Sequence, residues 1–263
     1  MSLEVEAPSL SLEWITWFRD YAATARRFVK EDPIPVPSEE ERELVAIKAA
    51  LYARAMMLFE GALLMIENDR QLDFRIQSRG VIEAAMYMIA LDREPGFVAK
   101  MKDDDYKSRH ARAGLHLKSA KFNGSDDVRK MLEDFVTQGL QGAKAIQAGE
   151  LLNGSEFERL YRSFRDISGD AAHVSVTSLN RHYVENPADQ SALLIIDPAL
   201  DGIDMLMTVT ELGISMIIAT LLLMKIKTKT ELWDEFHDLT RRYRELGKTS
   251  REQIPETRSA PGD

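Results

Sequence analysis

Cysteine is absent from the 263 residues, which excludes disulfides, thiolate metal clusters and thiol nucleophiles; any nucleophile must be oxygen or nitrogen. Positive charge is in short supply. With 34 Lys and Arg against 43 Asp and Glu, the net charge of −9 gives no general attraction to phosphate backbones or anionic lipid. An RNA contact would need a local basic patch, and neither DNA nor a membrane is an expected partner. Long apolar runs are missing too. The longest, "LGISMIIATLLLM" (Leu212–Met224), has 13 residues against the ~20 needed to cross a bilayer, and predicts a buried helix. The opening "MSLEVEAPSLSLEW" carries early acids and no apolar core behind a basic region, so no secretory signal is predicted and the protein is expected to be cytoplasmic. No repeat with a period of roughly 20–50 residues is visible, which excludes a solenoid. There is no glycine-rich phosphate loop, no Glu-x-x-His di-metal pattern and no His-Glu-x-x-His helix. No metal and no cofactor are expected.

What remains is ordinary globular composition, 44% hydrophobic and 29% charged, dominated by helical periodicity. Trp14, Trp17, Phe18 and Tyr21 fall on one face of a first helix, which "EDPIPVPSEE" stops. Ser38 with Glu41 reads as a capping box opening a long amphipathic helix to about Asn68. The next helix, 71 to 92, contains "GVIEAAMYMIAL", apolar on every side except Glu83, and a helix of that kind is surrounded by others. Further helices are expected behind Ser125, over Phe157 to Ile167, over 171 to 183, over 201 to 227 with a polar stripe of Asp204, Thr208, Glu211 and Ser215, and from Trp233 to Tyr243. The run Leu193–Ile196 reads as an extended connection or short strand. The fold class is therefore all-α, a multi-helix up-and-down bundle with a central apolar helix and extended connections. Its organisation reads as an N-terminal helix and linker packed on the bundle (1–37), the bundle domain (38–246) and a disordered tail (247–263).

Two places could carry chemistry. In "FRDISGDAAHVS", Gly169 suits the left-handed position after a helix and Asp170 the N-cap of the next, which puts His173 in a first helical turn. The helix dipole there disfavours imidazolium, so His173 could serve as a neutral general base, with Arg165 across the turn and Asp166 beside it. The same residues also suit plain punctuation between two helices. The second place is Arg79 with Glu83, one turn apart on the apolar helix. There a buried carboxylate needs a partner, either as an internal ion pair or as one wall of a pocket shared with Arg165 and His173. Ser168 and Asn180 complete that pocket. A third arrangement would need Glu83, Asp204 and Glu211 to face one space. His110, His116 and His182 stand among polar residues and read as surface positions, and Lys100, Lys102, Lys107, Arg109, Arg112, Lys118 and Lys121 form the best local basic segment.

"SRGVIEAAMYMIALD" and "LYRSFRDISGDAAHVSVTSL" together resemble a family of bacterial all-helical proteins of unknown function. Its members pair an Arg-x-x-x-Glu helix with a later Tyr/Phe-Arg-x-Leu/Ile-Ser segment followed by His-x-Ser. The matching positions are Arg79, Glu83, Phe164, Arg165, Ile167, Ser168, His173 and Ser175. The pattern is in turn similar to the HEPN superfamily of helical bundles, where an arginine followed by a polar residue precedes a histidine. Asp166 fits the polar position, while the seven residues between Arg165 and His173 exceed the superfamily's spacing. The resemblance implies either a metal-independent endoribonuclease, with His173 and Arg165 as catalytic residues, or a non-catalytic binding or regulatory module in a bacterial defence or stress system. The acidic surface and the apolar Trp14, Trp17 and Phe18 favour the module, a homodimer binding a protein or small ligand, while the net charge counts against RNA, which stays a possible partner through a local basic patch.

Overall fold

The computed structural model describes residues 10–31, 33–35, 38–94, 96–171, 175–186, 191–227 and 231–252. Within them the chain forms nine α-helices: α1 Leu12–Glu31, α2 Glu39–Glu67, α3 Gln71–Arg93, α4 Phe97–Lys118, α5 Asp126–Thr137, α6 Glu158–Ala171, α7 Val176–Asn180, α8 Gly202–Met224 and α9 Trp233–Glu252. A 3₁₀ turn at Ala148–Glu150 precedes α6, and between α7 and α8 lies the two-stranded antiparallel hairpin of β1 (Tyr183–Asn186) and β2 (Ser191–Leu194). This is the expected all-α multi-helix bundle.

α3 is the hub, packed against α2, α6 and α8, and 13 of its residues are buried. α8 has the length and apolarity of a membrane span, as does α2; in α8 the apolar surface is turned into the bundle instead. The polar stripe predicted on α8 lies inside the protein, since Thr208, Glu211 and Ser215 are all buried.

The first helix departs from expectation. Trp14, Trp17 and Phe18 are not free for a partner; they are in the core, packed on α9 and α2. Trp17 Nε1 donates to the Leu239 carbonyl at 2.8 Å, Trp14 Nε1 to Ser250 Oγ at 2.9 Å, and Tyr243 lies edge-on to Trp14. Burying a large side chain of this kind contributes about 1.5–3 kcal/mol, so α1 is integral to the domain. For the same reason the last helix does not stop at residue 246. It runs to Glu252, with Gly247 buried and Ser250 holding the indole of Trp14. The rest of the predicted tail lies outside the described residues.

α4 and α5 leave the bundle as an antiparallel arm. Of the two helices only Phe97 and Ala113 are buried, and α5 packs chiefly on α4. A small seam holds the two helices together: Tyr106 stacks edge-on to Phe135, the Tyr106 hydroxyl donates to the Gly139 carbonyl at 2.9 Å, and His110 Nε2 lies 3.1 Å from the Val136 carbonyl. His110 is thus half-buried rather than a surface residue, and so is His182, whose Nδ1 meets the Ile195 carbonyl at 2.9 Å. His116 is exposed as expected. At the helix starts, Ser125 caps α5 by accepting from Val128 N, whereas Ser38 makes no such bond and its hydroxyl meets only Glu41.

Candidate functional site

α6 carries most of the residues picked out by sequence, and its registry decides which of them meet. Leu160, Phe164 and Ile167 recur at i, i+4 and i+7 and are buried against α3 and α8. Ser168 is buried beside them, while Arg165 and Asp166 are exposed. Neither makes an ion pair or side-chain hydrogen bond among the described residues. His173 lies outside the described residues.

The helix does not break where a cap was predicted. α6 runs through Ser168, Gly169 and Asp170 to Ala171, and Gly169 does not take the left-handed conformation. The next helix is capped instead by Ser175, which accepts from Ser178 N while Ser178 Oγ accepts from Ser175 N. A glycine inside a helix costs about 1 kcal/mol relative to alanine. What holds the helix past it is the side chain of Asp170, anchored by two arginines.

Asp170 is 4% exposed and sits between Arg75 of α3 and Arg181, just after α7. Arg181 donates to it through Nε and Nη2, both at 3.0 Å, in the two-pronged geometry that suits guanidinium and carboxylate. Arg75, 2% exposed, places Nε 2.8 Å from Asp170 Oδ2. That contact is electrostatic, because the N–H is not aligned with the oxygen and Nε has no hydrogen-bond partner among the described residues. The other nitrogens of Arg75 are satisfied by α8: Nη1 donates to Thr208 Oγ1 at 2.7 Å and to the Asp204 carbonyl at 3.2 Å, and Nη2 to Asp204 Oδ1 at 3.2 Å. Arg181 also pairs with Asp204 Oδ2, which closes the ring. Burial pulls the Arg181 guanidinium down, and its bonds to Asp170 and Asp204 more than offset this, holding it above its ordinary value.

Two arginines and two aspartates therefore make a closed, charge-balanced cluster joining α3, α6, α8 and the residue after α7. Each carboxylate oxygen already faces a guanidinium, so the cluster has no free base to offer a substrate. Further along α8, the buried Glu211 receives Arg159 Nε at 3.1 Å and Nη2 at 2.8 Å, both on Oε1. Glu211 Oε2 and Ser215 Oγ have no hydrogen-bond partner among the described residues. Burial and the Glu211 charge together push the nearby Tyr243 hydroxyl well above its ordinary value.

Of the predicted pocket, the structure brings Arg79, Glu83 and Ser168 together. Arg79 Nε donates to Ser168 Oγ at 2.9 Å, its guanidinium lies 4.5 Å over the Phe164 ring, and Nη1 is 3.6 Å from Glu83 Oε2. The pair is not buried: Arg79 is 25% and Glu83 36% exposed in the side chain, because they stand where α3 emerges from beneath α6. The internal ion pair expected for Glu83 belongs one turn earlier, to Arg75. Asn180 is exposed on α7 and makes no side-chain hydrogen bond among the described residues. Glu83, Asp204 and Glu211 do not share a pocket, since the half-buried Asp204 and the buried Glu211 are each taken by different arginines and Glu83 is at the surface.

Arg75, Asp170, Arg181 and Asp204 were not singled out together from sequence, yet a signal for the first existed. Arg75 shares a helical face with Gln71, Ser78 and Ile82, all but one of them polar and every one buried. Among the described residues, no group of three or more His, Asp or Glu side chains is placed to hold a metal ion. No protein-family model, curated protein or solved structure matches the chain.

Proposed function

We propose that the chain is a non-catalytic binding module that contacts an anionic polymer through the outer half of the α4–α5 arm. The observation that carries this reading is the distribution of charge on the arm. Between Lys107 and Lys130 stand seven basic and two acidic side chains, on a chain whose net charge is −9. Near the bundle the lysines are occupied, Lys100 with Glu94 and Lys102 with Glu43. Further out, Lys107, Arg112, Lys118, Lys121 and Lys130 have no acidic partner among the described residues.

Separation matters as much as sign. From Lys102 to Lys118 the helix advances about 24 Å, well beyond the ~8 Å Debye length at physiological ionic strength. The acidic bundle is screened from the basic end of its own arm. Arg129 stacked over Phe122, 4.7 Å from the ring, adds a planar surface at that end on which a base could stack. The non-catalytic part of the reading is supported by α6: Asp170 is committed to the ion cluster, and Arg165 and Asp166 are exposed and make no ion pair or hydrogen bond with Arg79 or Ser168 among the described residues.

Fluorescein-labelled single-stranded RNA of mixed sequence, titrated with the full chain in EDTA, tests both parts. The expected result is salt-dependent binding without cleavage. Changing Arg112, Lys118 and Lys121 together to Glu should reduce the slope of log K against log salt by about 2, given ~0.7 per phosphate contact on single strands. Absence of binding at low salt would overturn the polymer reading. Cleavage by the wild type that is lost in both His173→Ala and Arg165→Ala, each still folded, would replace it with a HEPN-type endoribonuclease.

A further inference from the structure

We propose that β2 pairs antiparallel with β2 of a second copy of this chain, about a two-fold axis at Leu193, to make a four-stranded sheet of order β1-β2-β2-β1. This goes beyond the binding-module reading and does not depend on it.

The hairpin as it stands is incomplete. A two-stranded ribbon is marginally stable in water, and three or more strands with an apolar face are needed for independent stability. All four residues of β2 are exposed, and on this small ribbon stand Tyr183, Val184, Leu193, Leu194 and Ile196, with Leu194 83% and Ile196 84% exposed. By strand alternation Val184 and Leu193 stand on one face of the ribbon and Tyr183, Leu194 and Ile196 on the other, so both faces carry exposed apolar side chains.

The free edge has a defined chemistry. In the hairpin Tyr183 faces Leu194 and Val184 faces Leu193, and Ile195 N donates to the His182 carbonyl at 2.9 Å. By the alternation of antiparallel ladders, Leu193 and Ile195 turn their backbone groups toward β1, while Ala192 and Leu194 turn theirs outward. Those outward N–H and C=O groups have no partner among the described residues. The two edges of the ribbon are not alike. β1 carries Glu185, whereas Ser191 to Ile196 holds no charge and no proline, the features by which an exposed edge is normally protected from pairing.

A second copy satisfies this edge without further chemistry, because an antiparallel strand pairs with itself about a two-fold axis. With the axis at Leu193, Ala192 of one copy and Leu194 of the other exchange backbone hydrogen bonds. The two Leu193 side chains then stand side by side in a non-hydrogen-bonded pair. On that face Val184, Leu193 and their symmetry mates form one apolar row across the sheet. Glu185, on the outer strands, is kept from its mate by about three strand spacings, ~14 Å. Pairing one four-residue strand with its mate buries less than the ~800 Å² per partner of a standard interface, so a dimer that dissociates in the micromolar range is expected.

Sedimentation equilibrium of the full chain across the micromolar range should show a monomer–dimer equilibrium. Leu193→Lys sets two ammonium groups against each other at the axis and should give a monomer whose helical melt is unchanged; Glu185→Lys should leave the dimer in place. Because the chain has no cysteine, one introduced thiol reports the register. Leu193→Cys treated with oxidised glutathione should form a protein disulfide, releasing two molecules of reduced glutathione for each bond. Val184→Cys should not, since its mate would be ~14 Å away and a disulfide requires Cα atoms within about 7 Å. A chain that stays monomeric throughout, or a dimer that survives Leu193→Lys, or equal cross-linking at both positions, would overturn the proposal. RNA binding is read separately, so loss of one does not decide the other.

Discussion

Replacing Asp170 by Asn is the sharpest test of the interior described above, because it removes one charge and almost no volume. The carboxylate is 4% exposed and is approached by Arg181 through two nitrogens and by Arg75, itself 2% exposed, through a third. With Asn in place, the buried guanidinium of Arg75 and the half-buried one of Arg181 share only Asp204, and Arg75, at 2% exposure, is cut off from water. Breaking a buried pair by removing one partner typically costs about 3–5 kcal/mol. For a chain of this size that corresponds to a fall in Tm of roughly 6–20 °C. Urea unfolding followed by circular dichroism should show a lower midpoint with an unchanged slope. The double change Arg75→Met with Asp170→Leu leaves Arg181 and Asp204 as a balanced pair, and should recover most of the loss because apolar residues of similar volume replace a buried ion pair at little net cost. Arg165→Ala, five residues earlier on the exposed side of the same helix, should stay within about 0.5 kcal/mol of wild type. A loss below about 1 kcal/mol for Asp170→Asn, or an equal loss for Arg165→Ala, would refute the burial of the cluster.

Other outcomes follow from the same packing. Gly169→Ala should stabilise the chain by about 0.5–1 kcal/mol, since the position is helical and nothing lies within 4 Å of an added Cβ; destabilisation in urea would mean that α6 breaks there after all. Gly213→Ala should do the reverse, costing about 1–3 kcal/mol, because its Cβ would stand 2.7 Å from Tyr243 Cε2 and 3.4 Å from Trp17. At the other end of the bundle, Asp92 is partly desolvated, but bonds from Lys225 and Lys48 outweigh this and hold its carboxyl below the ordinary value. The ionised form is therefore favoured by the fold, and the stabilisation is full above the ordinary carboxylate pKa of ~3.9 and lost as pH falls through the lower folded value. The stability gap between wild type and Asp92→Asn should be constant from neutral pH down to mildly acidic conditions and close below that; a gap that stays constant into strong acid would contradict the assignment.

Periodicity carried the fold a long way. The aromatic spacing of α1, the all-round apolarity of α3 and the polar stripe of α8 each predicted an environment, and in α8 even the polar interior was legible. What failed was the pairing of distant segments. Trp14 and Trp17 looked unpartnered because their cover, on α9, comes more than 200 residues later. Gly169 and Asp170 satisfy the local rules for a helix end so well that only a long-range contact could contradict them. That contact comes from Arg75, 95 residues earlier, and nothing in the sequence around Asp170 announces it. Glu83 was assigned a buried partner for the opposite reason: its neighbours in sequence are apolar, but its own azimuth on α3 lies at the edge of the α6 contact. The candidate site was half legible, in that Arg79, Glu83 and Ser168 do meet, while Arg165, Asp166 and Asn180 are exposed and make no ion pair or side-chain hydrogen bond with them among the described residues.

The four-residue ion cluster also constrains how this sequence can change. Arg75, Asp170, Arg181 and Asp204 belong to segments spread over 130 positions, yet no single one can be exchanged for an uncharged residue without stranding a charge in the interior. Substitutions at these positions are therefore tied to one another, with interaction energies of about 0.5–3 kcal/mol expected between neighbours in one network. Drift at this place in the chain has to proceed by paired replacement, so the four positions should behave as one inherited unit while the apolar residues around them vary independently.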